Sequence, residues 1–278
     1  MELTPAHFTT LDFAVSDGIA RVTLNRPQQL NTMNKDFWPE MVRVFAAIDH
    51  DPAVRCVIIA STGKHFTAGL DLGWAGQTTL AQGSQDLGRA RESFRRHVKE
   101  LQESFNVIDN CRVPVIAVVQ GGCIGGGVDM VTACDIRIAA ADAFFTIQEI
   151  NIAIVADVGT LQRAPHLLPQ GLLRELAYTG RRFPAVEALQ YGFVNRVAAD
   201  HAAALAAAET MAAEIAAKSP LAITGIKAVL NHGRDHSIAD GLEYVAVWNA
   251  GMLQGGDVGE AVKAQMARET ASFGDLLA

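Results

Sequence analysis

Three carboxylates, Asp129, Glu149 and Asp157, fall within one apolar, glycine-punctuated stretch of the chain, PVIAVVQGGCIGGGVDMVTACDIRIAAADAFFTIQEINIAIVADVGTLQR, residues 114–163. Acidic side chains are rarely buried without a partner or a task. Proton transfer between carbon atoms needs such groups, held where burial and mutual repulsion raise a pKa. The pattern points to acid–base chemistry on a small carbon skeleton.

Between the first strand-like run and the first carboxylate lies GGCIGGG, with five glycines in seven positions. It is not a dinucleotide fingerprint, because Gly122-Cys123-Ile124 fails the G-x-G opening, and no Walker lysine follows. Tight strand–helix packing accounts for one or two of these glycines. The remainder read as a helix start at which the backbone approaches a ligand closely, with unpaired N–H donors suited to an oxyanion.

The elements that must hold these groups follow from patterning. LDFAVSDGIARVTLNRP reads as two strands around an Asp17-Gly18 turn. Asn34 opens an amphipathic helix carrying Phe37, Met41, Val44, Phe45 and Ile48 at helical spacing. CVIIAS, residues 56–61, is a buried strand running into the loop TGKHFTAGLDL, and residues 73–91 read as a polar, Gly/Gln-containing loop. Helical periodicity over 92–110 precedes strands at 114–119, 135–139 and 143–146. Beyond about residue 160 only helices are expected, at 201–217, 221–231, 238–251 and 257–270, with breaks at Ser219-Pro220 and Gly255-Gly256. The expected architecture is an α/β core over residues 1–200 with a helical C-terminal region over 201–278.

The 278 residues are half hydrophobic and carry a net charge of -7, from 30 acidic and 23 basic side chains. A substantial core is expected, and a nucleic-acid surface is disfavoured. Arg112, Gln120 and the glycines interrupt the longest apolar run, so no membrane span is expected. The start, MELTPAHFTT, shows no targeting pattern, and FGDLLA is not a peroxisomal address. Cys56, Cys111, Cys123 and Cys134 lack CxxC spacing and read as buried free thiols in a reducing, cytoplasmic setting. The eight histidines lack metal-ligand spacing, so no metal is expected.

IAVVQGGCIGGGVDMVTACDIRIAA, together with GKHFTAGLDL and NRPQQLNTMN upstream, resembles the crotonase superfamily of enoyl-CoA hydratases and isomerases. The resemblance implies a spiral of repeated ββα units and C-terminal helices used for trimers or hexamers. It implies a coenzyme A thioester as substrate, with no separate cofactor, and an enolate held by two backbone N–H groups. By motif position these are Leu70 and Gly126, each contributing roughly 3 kcal/mol when aimed at the developing charge. Asp129 and Glu149 match the superfamily's acid–base positions. Asp157, in IVADVGTLQR, resembles the third carboxylate of Δ3,5-Δ2,4-dienoyl-CoA isomerases, although it also suits an N-cap for a helix near Gly159.

The resemblance further implies a 1,5 proton shift, in which Glu149 takes a proton from C2, Asp157 delivers one to C6, and Asp129 tunes or orients the pair. Phe144, Phe145, Ile147, Ile152 and Ile154 are candidates for the apolar surroundings. The alternative is 2-enoyl-CoA hydration by Asp129 and Glu149. A non-catalytic acyl-CoA-binding protein is disfavoured, because binding alone does not need three acids.

Ala68 and Asp71 in the HFTAGLDL motif, Arg26, Lys64 and Phe273 are the candidate substrate contacts. Asp71 and Asp135 also suit structural hydrogen bonds. His65 reads as a packing or hydrogen-bonding loop residue, and Arg163 as a support for the local helix or an ion-pair partner. Lys227 is the weakest of the cationic candidates for the coenzyme A phosphates and better suits a solvated surface charge, and Met211 and Trp248 suit core or subunit packing.

Overall fold

The structure is a computed structural model that describes residues 8–75, 86–253 and 255–277. Strands β1 (Leu11–Ser16) and β2 (Ile19–Leu24) form an antiparallel hairpin. Asp17 and Gly18 both take positive φ, 54° and 74°, as a two-residue hairpin turn requires. Helix α1 (Phe37–His50) begins three residues after Asn34, whose Oδ1 accepts the N–H groups of Asp36 and Phe37. Its five predicted apolar positions are all buried.

Strand β3 (Cys56–Ser61) leads through the loop to a short helix α2 (Leu72–Ala75). The long helix α3 (Leu87–Asp109) follows. It starts five residues earlier than its periodicity predicts, because its first turn is almost wholly exposed and carries no apolar pattern. Residues 76–85 of the expected polar loop lie outside the described residues, and the rest of that segment is α2 and the start of α3.

The next units repeat one plan. Strand β4 (Val115–Val119) passes into β5 (Gly122–Ile124) and helix α4 (Gly126–Thr132). Strand β6 (Ile136–Ala140) passes into β7 (Phe144–Thr146), then a 3-10 turn at Glu149–Ile152 and helix α5 (Thr160–Arg163). Helix α6 (Gln170–Thr179), strand β8 (Phe183–Pro184), helix α7 (Ala185–Gln190) and strand β9 (Arg196–Ala198) complete the spiral. These two strands correct the expectation of helices alone after residue 160. At two and three residues they are too short to show a period in sequence.

One sheet has the order β1-β2-β3-β4-β6-β9, parallel except for the hairpin, and the other has the order β5-β7-β8. Each ββ step thus places one strand in each sheet. Alternation along β3 divides the interior: Val57 and Ile59 face the main core, whereas Cys56, Ile58 and Ala60 face the opposite side.

That opposite side is covered by α8 (His201–Ala216), through Ala204, Ala208 and Ala212 at four-residue spacing. This helix lies beyond residue 200 yet packs directly on the sheet. Helices α9 (Pro220–His232), α10 (Ile238–Met252) and α11 (Gly255–Ala267) follow. Met211 packs against the alanine cluster, and the Trp248 indole lies over Gly225. All four cysteines are free and buried. Burial pushes the thiols of Cys56, Cys111 and Cys134 up to about 12, and that of Cys123 well above its ordinary value. Among the described residues no helix is long and apolar enough to cross a membrane.

Candidate active site

The loop after β3 is tied to the glycine turn before α4 by a single bridge, Thr67 to Cys123, and to the segment before α1 by another, Met33 to Leu70. Ile124 N donates to Thr67 O, and Met33 N to Gly69 O. Gly69 (φ 81°) has no room for a side chain, because a Cβ there would lie 2.5 Å from Ile124 O and 3.4 Å from Gly126 N. The peptide that presents the Leu70 N–H is therefore pressed against the first turn of α4. Neither Leu70 N–H nor Gly126 N–H donates to another group among the described residues. Gly126 is the first residue of its helix, where geometry leaves the N–H free.

Both residues line a cavity of about 630 Å³. Ala68, Gly125, Glu149 and Asp157 line it as well, with apolar walls from Ile124, Ile152, Ile154 and Val158. The opposite wall comes from helices that sequence reasoning did not connect to the site: Trp38 of α1, Leu72 and Trp74 of α2, and Phe94, His97, Val98 and Leu101 of α3. The spacing of Phe94, Val98 and Leu101, four and then three residues, specifies a helix face but not what it faces. Phe144, Phe145 and Ile147, predicted as pocket walls, do not line this cavity. Phe145 and Ile147 close a small apolar void with Phe183 and Phe193, and Phe144 packs against His65 beneath Arg182.

The three carboxylates occupy different positions. Glu149 starts the 3-10 turn after β7, and its Oε1 stands 3.3 Å from where a Cβ on Gly125 would be. Burial, followed by the charge of Asp129, pushes its carboxyl up to about 7. Asp157 is the most exposed of the three, and burial still raises its pKa. It does not cap α5: the N-cap is Gly159, and no side chain there accepts a capping bond.

Asp129 is fully buried behind the wall and is absent from the cavity lining. Its Oδ1 accepts the Thr160 N–H at 2.6 Å, while its Oδ2 and the Thr160 hydroxyl are buried without partners. Burial raises the Asp129 carboxyl to about 6, against the lowering effect of Thr160.

The predicted substrate contacts divide. Ala68 lines the cavity. Asp71 has a local structural role, accepting from Gly73 N, Trp74 N and Thr32 Oγ1. Arg26 donates to Thr32 O at 2.6 Å and faces Asp71 at 3.7 Å, so its guanidinium braces the oxyanion loop. Lys64 is exposed, and neither it nor Arg26 lines the cavity.

Phe273 does not reach the cavity of its own chain. Its carbonyl accepts from Arg55, the residue before β3, whereas the cavity follows the other end of that strand. Six residues of strand put Phe273 roughly 20 Å away within its own chain. Lys227 corrects the surface-charge reading: it is buried, paired with Asp135 at 2.8 Å, and donates to Val113 O and Ile108 O. His65 Nδ1 accepts the Gly122 N–H, and Arg163 pairs with Asp109, both in the structural roles expected of them.

Comparison with known proteins places the chain in a family. A sequence profile of the enoyl-CoA hydratase/isomerase family matches residues 14–270. The human mitochondrial Δ(3,5)-Δ(2,4)-dienoyl-CoA isomerase is 49% identical over 247 residues, covering 88% of this chain and 75% of the relative. The peroxisomal Δ(3,5)-Δ(2,4)-dienoyl-CoA isomerase of Arabidopsis thaliana is 41% identical over 278 residues, covering 99% and 100%. The crystal structure of an enoyl-CoA hydratase from Bacillus anthracis matches with a TM-score of 0.85 at 28% identity, covering 95% of this chain and 98% of that one. One from Mycobacterium smegmatis matches with a TM-score of 0.84 at 25% identity, covering 95% and 98%. The chain belongs to the enoyl-CoA hydratase/isomerase, or crotonase, family.

Proposed function

We propose that this protein isomerises a 3,5-dienoyl-CoA to the 2,4-dienoyl-CoA, as the names of its 41–49% identical relatives suggest. The observation that carries the reading is that Glu149 and Asp157 line one apolar cavity together with the free N–H groups of Leu70 and Gly126. The thioester oxygen binds between those two amides. Glu149 removes a proton from C2, and the electron pair spreads over the thioester and the diene as a dienolate. Asp157 returns a proton at C6, and the double bonds move to positions 2 and 4.

The two acids must divide their protons, one ionised and one protonated. Burial favours the neutral form of both, and the charge of Asp157 adds a smaller upward push on Glu149. Asp157 is the more exposed of the two. An acyl chain laid over it removes its water and strengthens its hold on a proton, which leaves Glu149 as the base.

The decisive experiment is the Asp157→Asn variant assayed with a 3,5-dienoyl-CoA. Turnover should be lost while the fold is kept, and a rate near that of the unmodified protein would refute the assignment. Hydration of 2-enoyl-CoA is less supported, because Asp129 is fully buried and does not line the cavity. Rapid turnover of crotonyl-CoA would restore that reading.

A trimer or hexamer belongs to the same proposal. Helix α10 buries none of its residues, and Ile238, Leu242 and Val247 are more than half exposed. An apolar helix of this kind needs a covering surface. Lys64, exposed beside the oxyanion loop, is the remaining cationic candidate for the coenzyme A phosphates, and Phe273 is a candidate only across a subunit boundary. Light scattering and the KM of Lys64→Ala test these two points.

A further inference from the structure

Helix α3 meets the site with two faces. Leu101, and Val98 and Phe94 before it, line the apolar cavity. The adjacent polar stripe, Gln102, Asn106 and Asp109 at i, i+4 and i+7, grips the segment that carries Asp157. Gln102 Nε2 donates to Asp157 O at 2.7 Å. Asn106 Oδ1 accepts from Arg163 Nη2 at 2.7 Å, and Asp109 Oδ2 from Arg163 Nε at 3.0 Å.

Residues 155–158 lie outside any helix or strand. Among the described residues, the Gln102 bond is the hydrogen bond that ties their main chain to another element. Ala156 and Val158, on either side of Asp157, are buried and hold the segment at its depth. Apolar contacts are non-directional, so they leave the rotation of the Asp157 peptide unspecified. A hydrogen bond to its carbonyl specifies it.

We propose that Gln102 is a positioning residue for the second proton transfer: its amide orients the Asp157 main chain, and through it the reach of the carboxyl toward C6. The inference rests on the isomerase reading above. Removal of the C2 proton depends on Glu149 and the two amide donors, none of which Gln102 touches. Delivery of the proton to C6 depends on Asp157. Loss of the Gln102 donor therefore slows one half of the reaction and spares the other.

The test compares Gln102→Met, which keeps length and helix propensity but has no donor, with the unmodified protein in D2O. Two rates are measured on the same 3,5-dienoyl-CoA: deuterium entry at C2 of recovered substrate, and formation of the 2,4-diene. A misplaced proton donor should cost product formation about tenfold or more, with C2 exchange kept within about twofold. Equal loss of both rates, or no loss of either, overturns the inference. Gln102→Ala serves as a second variant should the methionine disturb packing, and it carries the same two outcomes. An unmodified protein that forms no product and exchanges no C2 proton refutes the isomerase reading itself, and this inference with it. A protein that isomerises normally while Gln102→Met behaves identically refutes the inference alone.

Discussion

Asp129 holds the main chain of Thr160 from inside the wall of the cavity: its Oδ1 accepts the Thr160 N–H at 2.6 Å, and its Oδ2 has no partner. The carboxyl that closes the glycine motif thus anchors the start of α5, three residues beyond Asp157. Burial raises it from an ordinary 3.8 to about 6.

That burial predicts a pH-dependent stability. A carboxyl whose folded pKa is raised contributes fully below its unfolded value, and the contribution is lost as pH rises through the folded value. Stability should therefore fall between about pH 4 and pH 7, by about 3 kcal/mol from Asp129 at ~1.4 kcal/mol per pH unit. Glu149, raised to about 7, acts in the same direction. In Asp129→Asn the Asp129 part of this fall disappears. Denaturant unfolding at pH 5 and pH 8 checks it, and an unchanged difference between the two pH values would contradict the burial argument.

The rate profile should carry the same signature. Glu149 must be ionised to take a proton, so kcat/KM should rise with pH through about 7. The charge of Asp129 is the second cause of that raised value, after burial. Removing it in Asp129→Asn lowers the pKa of Glu149, so the rising limb should move to lower pH. A limb that stays in place would separate Asp129 from the electrostatics of the base.

Gly69→Ala tests the oxyanion geometry. The added methyl meets Ile124 O at 2.5 Å on a backbone with φ of 81°, so the loop and the turn before α4 must separate. The two donors then no longer converge on one oxygen. We expect kcat to fall by roughly 10²-fold, with a loss of stability of about 1–3 kcal/mol. Steady-state kinetics and thermal unfolding measure the two effects.

Lys227→Met tests whether that lysine serves structure or substrate. Its ammonium is buried against Asp135, Val113 O and Ile108 O. Losing it should cost about 3 kcal/mol, because the partners are left without their cation. The KM for a dienoyl-CoA should not change. A several-fold rise in KM with normal stability would return Lys227 to the substrate.

Much of this arrangement was legible in the sequence, because local patterns carry local geometry. Alternation and an Asp-Gly pair specified the hairpin, a 3.6-residue period specified α1, and five glycines in seven positions marked a close backbone approach. The acids and both amide donors were named from motif position, and Leu70, Gly126, Glu149 and Asp157 meet at one cavity.

Side of wall and end of sheet were settled only by tertiary packing. Asp129 has the residue type of a catalytic acid but lies behind the wall, because α4 turns it toward Thr160. Lys227 has the type of a surface charge but is enclosed against Asp135. Phe273 lies at the wrong end of β3 to touch the cavity of its own chain, and one wall of that cavity comes from α1, α2 and α3. Spacing along a chain fixes which face a residue occupies on its own element. What that face meets depends on contacts between elements far apart in sequence, which no local period encodes.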